Sequence, residues 1–134
     1  MKSALSWFEI PVVDMPRATR FYSDLLQSEL RQETFAGVEI AILPYQQGNG
    51  TGGALALADH MVPSKQGSIV YLDAGHDLEA ALARVRTAGG TVLMGTTKLS
   101  DDVGSIAFFQ DSEGNRVGLH SPPSPPAAAA PRHP

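Results

Sequence analysis

The chain of 134 residues has no cysteine. That excludes disulfides, thiolate metal sites and cysteine nucleophiles. Positive charge is scarce as well. Ten Lys and Arg stand against 14 Asp and Glu, for a formal net charge of -4. No basic stripe is present to neutralise a phosphate backbone, so nucleic acid is not an expected partner. No apolar run approaches the roughly 20 residues that span a bilayer. The opening Met1-Lys2-Ser3-Ala4 leads into a strand pattern with no signal-peptide character. A cytoplasmic protein without membrane contact is expected. Two further signatures are missing. The glycines of 48–53 lack the lysine and following helix of a phosphate cradle, and no nucleophile-elbow sequence occurs.

What is present suffices for one compact domain. Hydrophobic residues make up 43% of the chain, against 18% charged. The domain is expected over 1–121. The segment 122–134 is rich in Pro and Ala, with nothing bulky to bury, and reads as a disordered tail.

Within 1–121 one pattern occurs twice, over about 5–58 and 67–121. Each half runs strand, Asp-started helix, then three strands. The first strand is expected over 5–13, with Phe8, Ile10 and Val12 on one face and Leu5, Trp7 and Glu9 on the other. Asp14 is an N-cap and Pro16 falls in the first helical turn. Ala18, Phe21, Tyr22 and Leu25 follow at helical spacing. A hairpin over 29–34 and 38–43, a loop over 44–53 and a strand over 54–58 complete the first half. The second half begins with a strand over 68–74. Asp77 caps its helix, and Gly89-Gly90 ends it. Strands over 91–96, 105–110 and 116–120 follow, with a tight turn at 111–115 between the last two. Arg17 and Arg20 read as exposed helix charges. A half of roughly 55 residues cannot bury a sheet alone, so the two are expected to pair.

The carriers of a family resemblance are Trp7-Phe8-Glu9-Ile10-Pro11-Val12-Val13-Asp14 with Arg17 and Phe21-Tyr22, then Ala88-Gly89-Gly90, then 108–119 from Phe108 to Leu119. In this order and spacing they resemble the vicinal oxygen chelate superfamily of glyoxalases, bleomycin-resistance proteins and extradiol dioxygenases. The resemblance implies an α+β fold: two βαβββ modules paired into a half-closed cup, commonly in a homodimer. In metal-using members four strands of the cup carry ligands, typically His and Glu. Mapped by spacing from the motifs, those places fall on Trp7, close to Ala56, at or beside Tyr71, and on Gly118. Indole, methyl and hydrogen side chains offer a divalent metal no lone pair, and a phenol is a rare ligand. The expectation is a protein without the usual metal cofactor.

Glu9 and His120 each lie two residues past one of these places, on the same strand face. Three readings stay open for them. They form a structural polar pair, a carboxylate–imidazole pair for acid–base chemistry, or two ligands of a displaced divalent metal with Glu39 as the best third donor. Trp7, Tyr71 and Phe108 would wall a pocket with Ala56 and Gly118 on its floor, suited to a flat or amphipathic organic ligand. The functional expectation is small-molecule binding in the cup, with acid–base chemistry at Glu9 and His120 if there is catalysis. The alternatives are a metal-dependent lyase or isomerase with displaced ligands, and a non-catalytic dimeric scaffold.

Overall fold

The computed structural model describes residues 3–123. The tail expectation therefore lies outside the described residues from residue 124 onward. Ten elements follow in order: β1 (Trp7–Pro11), α1 (Met15–Leu26), β2 (Arg31–Phe35), β3 (Val38–Ile42), β4 (Gly52–Leu57), β5 (Tyr71–Asp73), α2 (Leu78–Thr87), β6 (Thr91–Ser100), β7 (Gly104–Gln110) and β8 (Arg116–Ser121). They form two four-stranded sheets, β1-β4-β3-β2 and β5-β8-β7-β6. In each sheet the first strand of the module runs parallel to the last, and the other pairings are antiparallel. The βαβββ repeat expected from the sequence is thus present twice.

Local chemistry sets the helix ends. The Asp14 carboxylate accepts from the Arg17 amide at 3.0 Å, and Asp77 accepts from Ala80 at 3.0 Å. Each satisfies one of the free N–H groups of a first turn. α1 buries Met15, Ala18, Phe21, Tyr22 and Leu25; α2 buries Leu78, Ala81, Leu82 and Val85. These two stripes meet in one core with Ile10, Val12 and Leu55 of the first sheet and Phe109, Val117 and Leu119 of the second. Phe21 packs on Phe109 with ring centroids 5.9 Å apart. Arg84 Nε donates to the Leu25 carbonyl at 2.9 Å. Each large side chain buried here contributes roughly 1.5–3 kcal/mol, so the modules are joined mainly by this shared core.

Several boundaries differ from expectation. β1 is shorter at both ends, and β5 shrinks to three residues. β6 instead extends to Ser100 through several register shifts. Gly52 and Gly53 belong to β4 rather than to the preceding loop, because ring packing demands glycine there. A Cβ on Gly52 would lie 2.8 Å from Trp7 Cζ3, and one on Gly53 would run into the Phe8 ring. The two rings occupy opposite faces of the sheet.

Candidate functional site

The helix-free faces of the two sheets carry the residues singled out in the sequence. Alternation and register assign them. On the first sheet Trp7 lies opposite Gly52, Glu9 opposite Ala54 and Pro11 opposite Ala56. Ile40 and Ile42 extend the rows on β3, paired with Ala56 and Ala54. On the second sheet Tyr71 lies opposite Gly118 and Asp73 opposite His120. Phe108 and Ile106 extend these rows on β7.

The same device occurs on both faces. The Trp7 ring covers Gly52, with Tyr45 set edge-on at a centroid distance of 6.5 Å and an interplanar angle of 85°. The Tyr71 ring covers Gly118, with Phe108 beside it at 6.0 Å and 53°. A side chain on either glycine would displace the ring. Trp7 and Tyr71 remain 40% and 44% exposed, so each has one side on the sheet and the other open. Phe109, its side chain on the opposite face, is fully buried in the core.

The expected site residues are therefore only partly gathered. Tyr71, Gly118 and Phe108 form one row. Ala56 is not beside Trp7; parallel pairing puts it four residues further along, about 13 Å away. Gly52 holds that place. Spacing from the motifs missed it because the two glycines read as loop.

Glu9 and His120 have separate partners. Trp7 Nε1 donates to Glu9 Oε2 at 3.3 Å. Glu9 also borders a cavity of about 180 Å³ with Ser68, Asn115 and Arg116. His120 Nε2 lies 2.6 Å from the Val103 carbonyl. It borders a different cavity, of about 380 Å³, with Tyr71, Asp73 and Pro122. No hydrogen bond or ion pair joins Glu9 to His120 among the described residues. The carboxylate opposite His120 is Asp73. Glu39 is exposed and alternates with Ile40, so its side chain is on the other face of the sheet from Glu9.

Metal chemistry can be tested against these donors. At the four places implied by the resemblance stand an indole, an alanine methyl, a phenol and a glycine, and the residue paired with Trp7 is a glycine as well. Among the described residues no three His, Asp or Glu side chains gather closely enough to hold an ion. The residues present do not fit the metal centre of metal-using relatives.

A buried polar network near the far end of β1 escaped the sequence. Glu113, in the β7–β8 turn, accepts from the amides of Val13 at 2.9 Å and Asp14 at 2.8 Å. Arg17 Nε donates to Glu113 Oε2 at 2.7 Å, so Arg17 is exposed as expected but its guanidinium is paired with a carboxylate that the sequence did not indicate. Burial pushes the Glu113 carboxyl up, but the hydrogen bonds from Arg17, the two amides and Ser112 outweigh it and hold it at about 2. Tyr22 donates to Asp111 Oδ2 at 2.6 Å, and Asn115 Nδ2 donates to the Pro11 carbonyl at 2.7 Å. Burial first, then the Asp111 carboxylate, pushes the Tyr22 phenol well above its ordinary range. Four polar residues among the five of the turn, 111–115, were the available signal.

The model of the Glyoxalase/Bleomycin resistance protein/Dioxygenase superfamily matches residues 4–119. A glyoxylase-like domain-containing protein of Didymella fabae is 26% identical over 123 residues, covering 89% of this chain and 94% of that protein. A mutant glyoxalase I from Zea mays superposes with a TM-score of 0.66 at 25% identity, over 87% of this chain and 45% of the maize chain. TnmS3, described as an antibiotic binding protein from Streptomyces sp. CB03234, superposes with a TM-score of 0.60 at 24% identity, over 91% of this chain and 98% of that one.

Proposed function

Because this chain belongs to the Glyoxalase/Bleomycin resistance protein/Dioxygenase superfamily, we propose that it binds a flat organic molecule against the open rings of Trp7 and Tyr71, as a cytoplasmic homodimer without a metal cofactor. One observation carries the reading. In both modules a half-exposed aromatic ring is laid on a glycine, Trp7 on Gly52 and Tyr71 on Gly118, and the resemblance implies ligand places at Trp7, Tyr71 and Gly118 in metal-using members. Half-exposed rings held flat supply apolar area at low entropic cost, which suits stacking on a planar ligand. The shared fold of TnmS3 is consistent with such a role. Its 24% identity transfers the fold alone.

Trp7 is the only tryptophan, so its emission reports on the site directly. Titration with a panel of planar aromatic compounds is expected to give saturable quenching. An unchanged spectrum across the panel would leave the scaffold reading in its place. A second reading keeps acid–base chemistry at His120. It is favoured by the register that sets Asp73, rather than Glu9, opposite the imidazole.

A further inference from the structure

The cavity beside Tyr71 has an unequal supply of donors and acceptors. His120 Nε2 faces the Val103 carbonyl at 2.6 Å. A carbonyl only accepts, so this nitrogen carries the proton. In a neutral imidazole the other nitrogen, Nδ1, then holds the lone pair. No partner meets Nδ1 among the described residues. Asp73 Oδ1 accepts from the Gly75 amide at 2.8 Å, and its Oδ2 likewise has no partner among them. Asp73 and His120 are register neighbours on parallel strands, and both border the cavity of about 380 Å³ that the Tyr71 ring flanks. Two unused acceptors thus stand beside one exposed aromatic face.

We propose that this corner selects planar aromatic ligands that carry a hydrogen-bond donor, a phenolic hydroxyl or an aromatic N–H, which His120 Nδ1 and Asp73 accept while the ring stacks on Tyr71. The inference rests on the aromatic binding proposed above and adds the ligand class. It also runs opposite to chelation. A metal centre attracts lone pairs of the ligand, whereas this corner attracts its protons. A ligand lacking the donor leaves a desolvated acceptor unpaired, and that loss sets the discrimination.

Calorimetric titration with naphthol and with its methyl ether separates the two ideas, since both probes share the ring and only one can donate. The intact protein is expected to prefer naphthol by about tenfold, the size of one lost hydrogen bond. His120→Leu should bring the ratio close to one. Asp73→Asn should reduce it, and this variant carries the test if His120→Leu loses its folded circular dichroism. Equal affinities in the intact protein would overturn the donor preference and leave aromatic binding standing. A preference that survives both substitutions would also overturn it. Binding of neither probe would remove the proposed function, and this inference with it.

Discussion

Arg17 and Glu113 meet at 2.7 Å across 96 residues of sequence, with the Glu113 side chain fully buried and the Arg17 side chain 45% exposed. The pair ties the first turn of α1 to the turn between β7 and β8. Its value lies less in the ion pair than in what Glu113 does for the backbone, since the same carboxylate also receives the amides of Val13 and Asp14. Breaking it from either side leaves different groups unpaired.

Glu113→Gln is accordingly expected to destabilise the fold by more than Arg17→Ala, because the amide swap weakens acceptance from two part-buried backbone N–H bonds and the arginine. A loss of about 2–4 kcal/mol is expected for the first and a smaller one for the second. Urea unfolding monitored by circular dichroism measures both. Equal losses would place the whole effect in the ion pair.

The same residue sets the acid limit. Glu113 titrates near 2 in the folded protein, below its ordinary value. A depressed carboxyl contributes stability that is present above its unfolded pKa and lost as pH falls towards the folded value. The loss should therefore run from about pH 5 down to about pH 2. In Glu113→Gln that portion of the acid transition should be missing when midpoints are compared by pH.

Tyr22 works at the other end of the scale. Its phenol is raised, so its share of stability is intact below the unfolded value of about 10 and falls as pH rises beyond it. Tyr22→Phe removes a hydrogen bond to buried Asp111 and should cost about 1–3 kcal/mol at neutral pH. It should also unfold less steeply with pH than the parent above pH 10. Parallel alkaline curves for the two would show that Tyr22 does not govern that limb.

The glycines under the rings separate binding from stability. Gly118→Ala pushes on Tyr71, whose outer side is open, so the ring can swing away at a cost of roughly 1 kcal/mol or less. Ligand affinity should then fall about threefold to tenfold as the platform is lost. Gly53→Ala pushes instead on Phe8, which packs against the core, and should cost about 1–3 kcal/mol. Thermal melts and Trp7 quenching on the two variants distinguish these outcomes.

Donor chemistry gives a last expectation. With no three His, Asp or Glu side chains gathered among the described residues, added Zn, Ni or Mn should leave the melting temperature unchanged. Elemental analysis finding a stoichiometric metal lost in both Glu9→Gln and His120→Ala would restore the displaced-ligand reading.

Much of the fold is legible in the sequence because its signals are local. Asp14 and Asp77 mark helix starts, the 3.6-residue stripes mark buried faces, and the repeated order of elements sets the two sheets. The site was legible in part. Tyr71 and Gly118 were placed by spacing from the motifs that carry the resemblance, and Phe108 follows from Gly118 because the β7–β8 turn fixes the register of that hairpin. Gly52 and Asp73 did not follow, since each depends on a parallel pairing between strands separated by a helix and a hairpin. The partner of Arg17 was missed for the same physical reason. A helix charge looks solvated until the partner arriving from 96 positions away is known.

That distance bears on how the molecule is made. During synthesis, residues 7–57 leave the ribosome long before Glu113 exists. The amides of Val13 and Asp14 await an acceptor 100 and 99 positions downstream, and the Pro11 carbonyl awaits Asn115, 104 positions on. Closures of that length are slow. Until they happen, the nascent first module keeps its apolar helix face uncovered and open to chaperones and proteases. Chains stopped before the last turn are therefore unfinished whole proteins rather than independent halves.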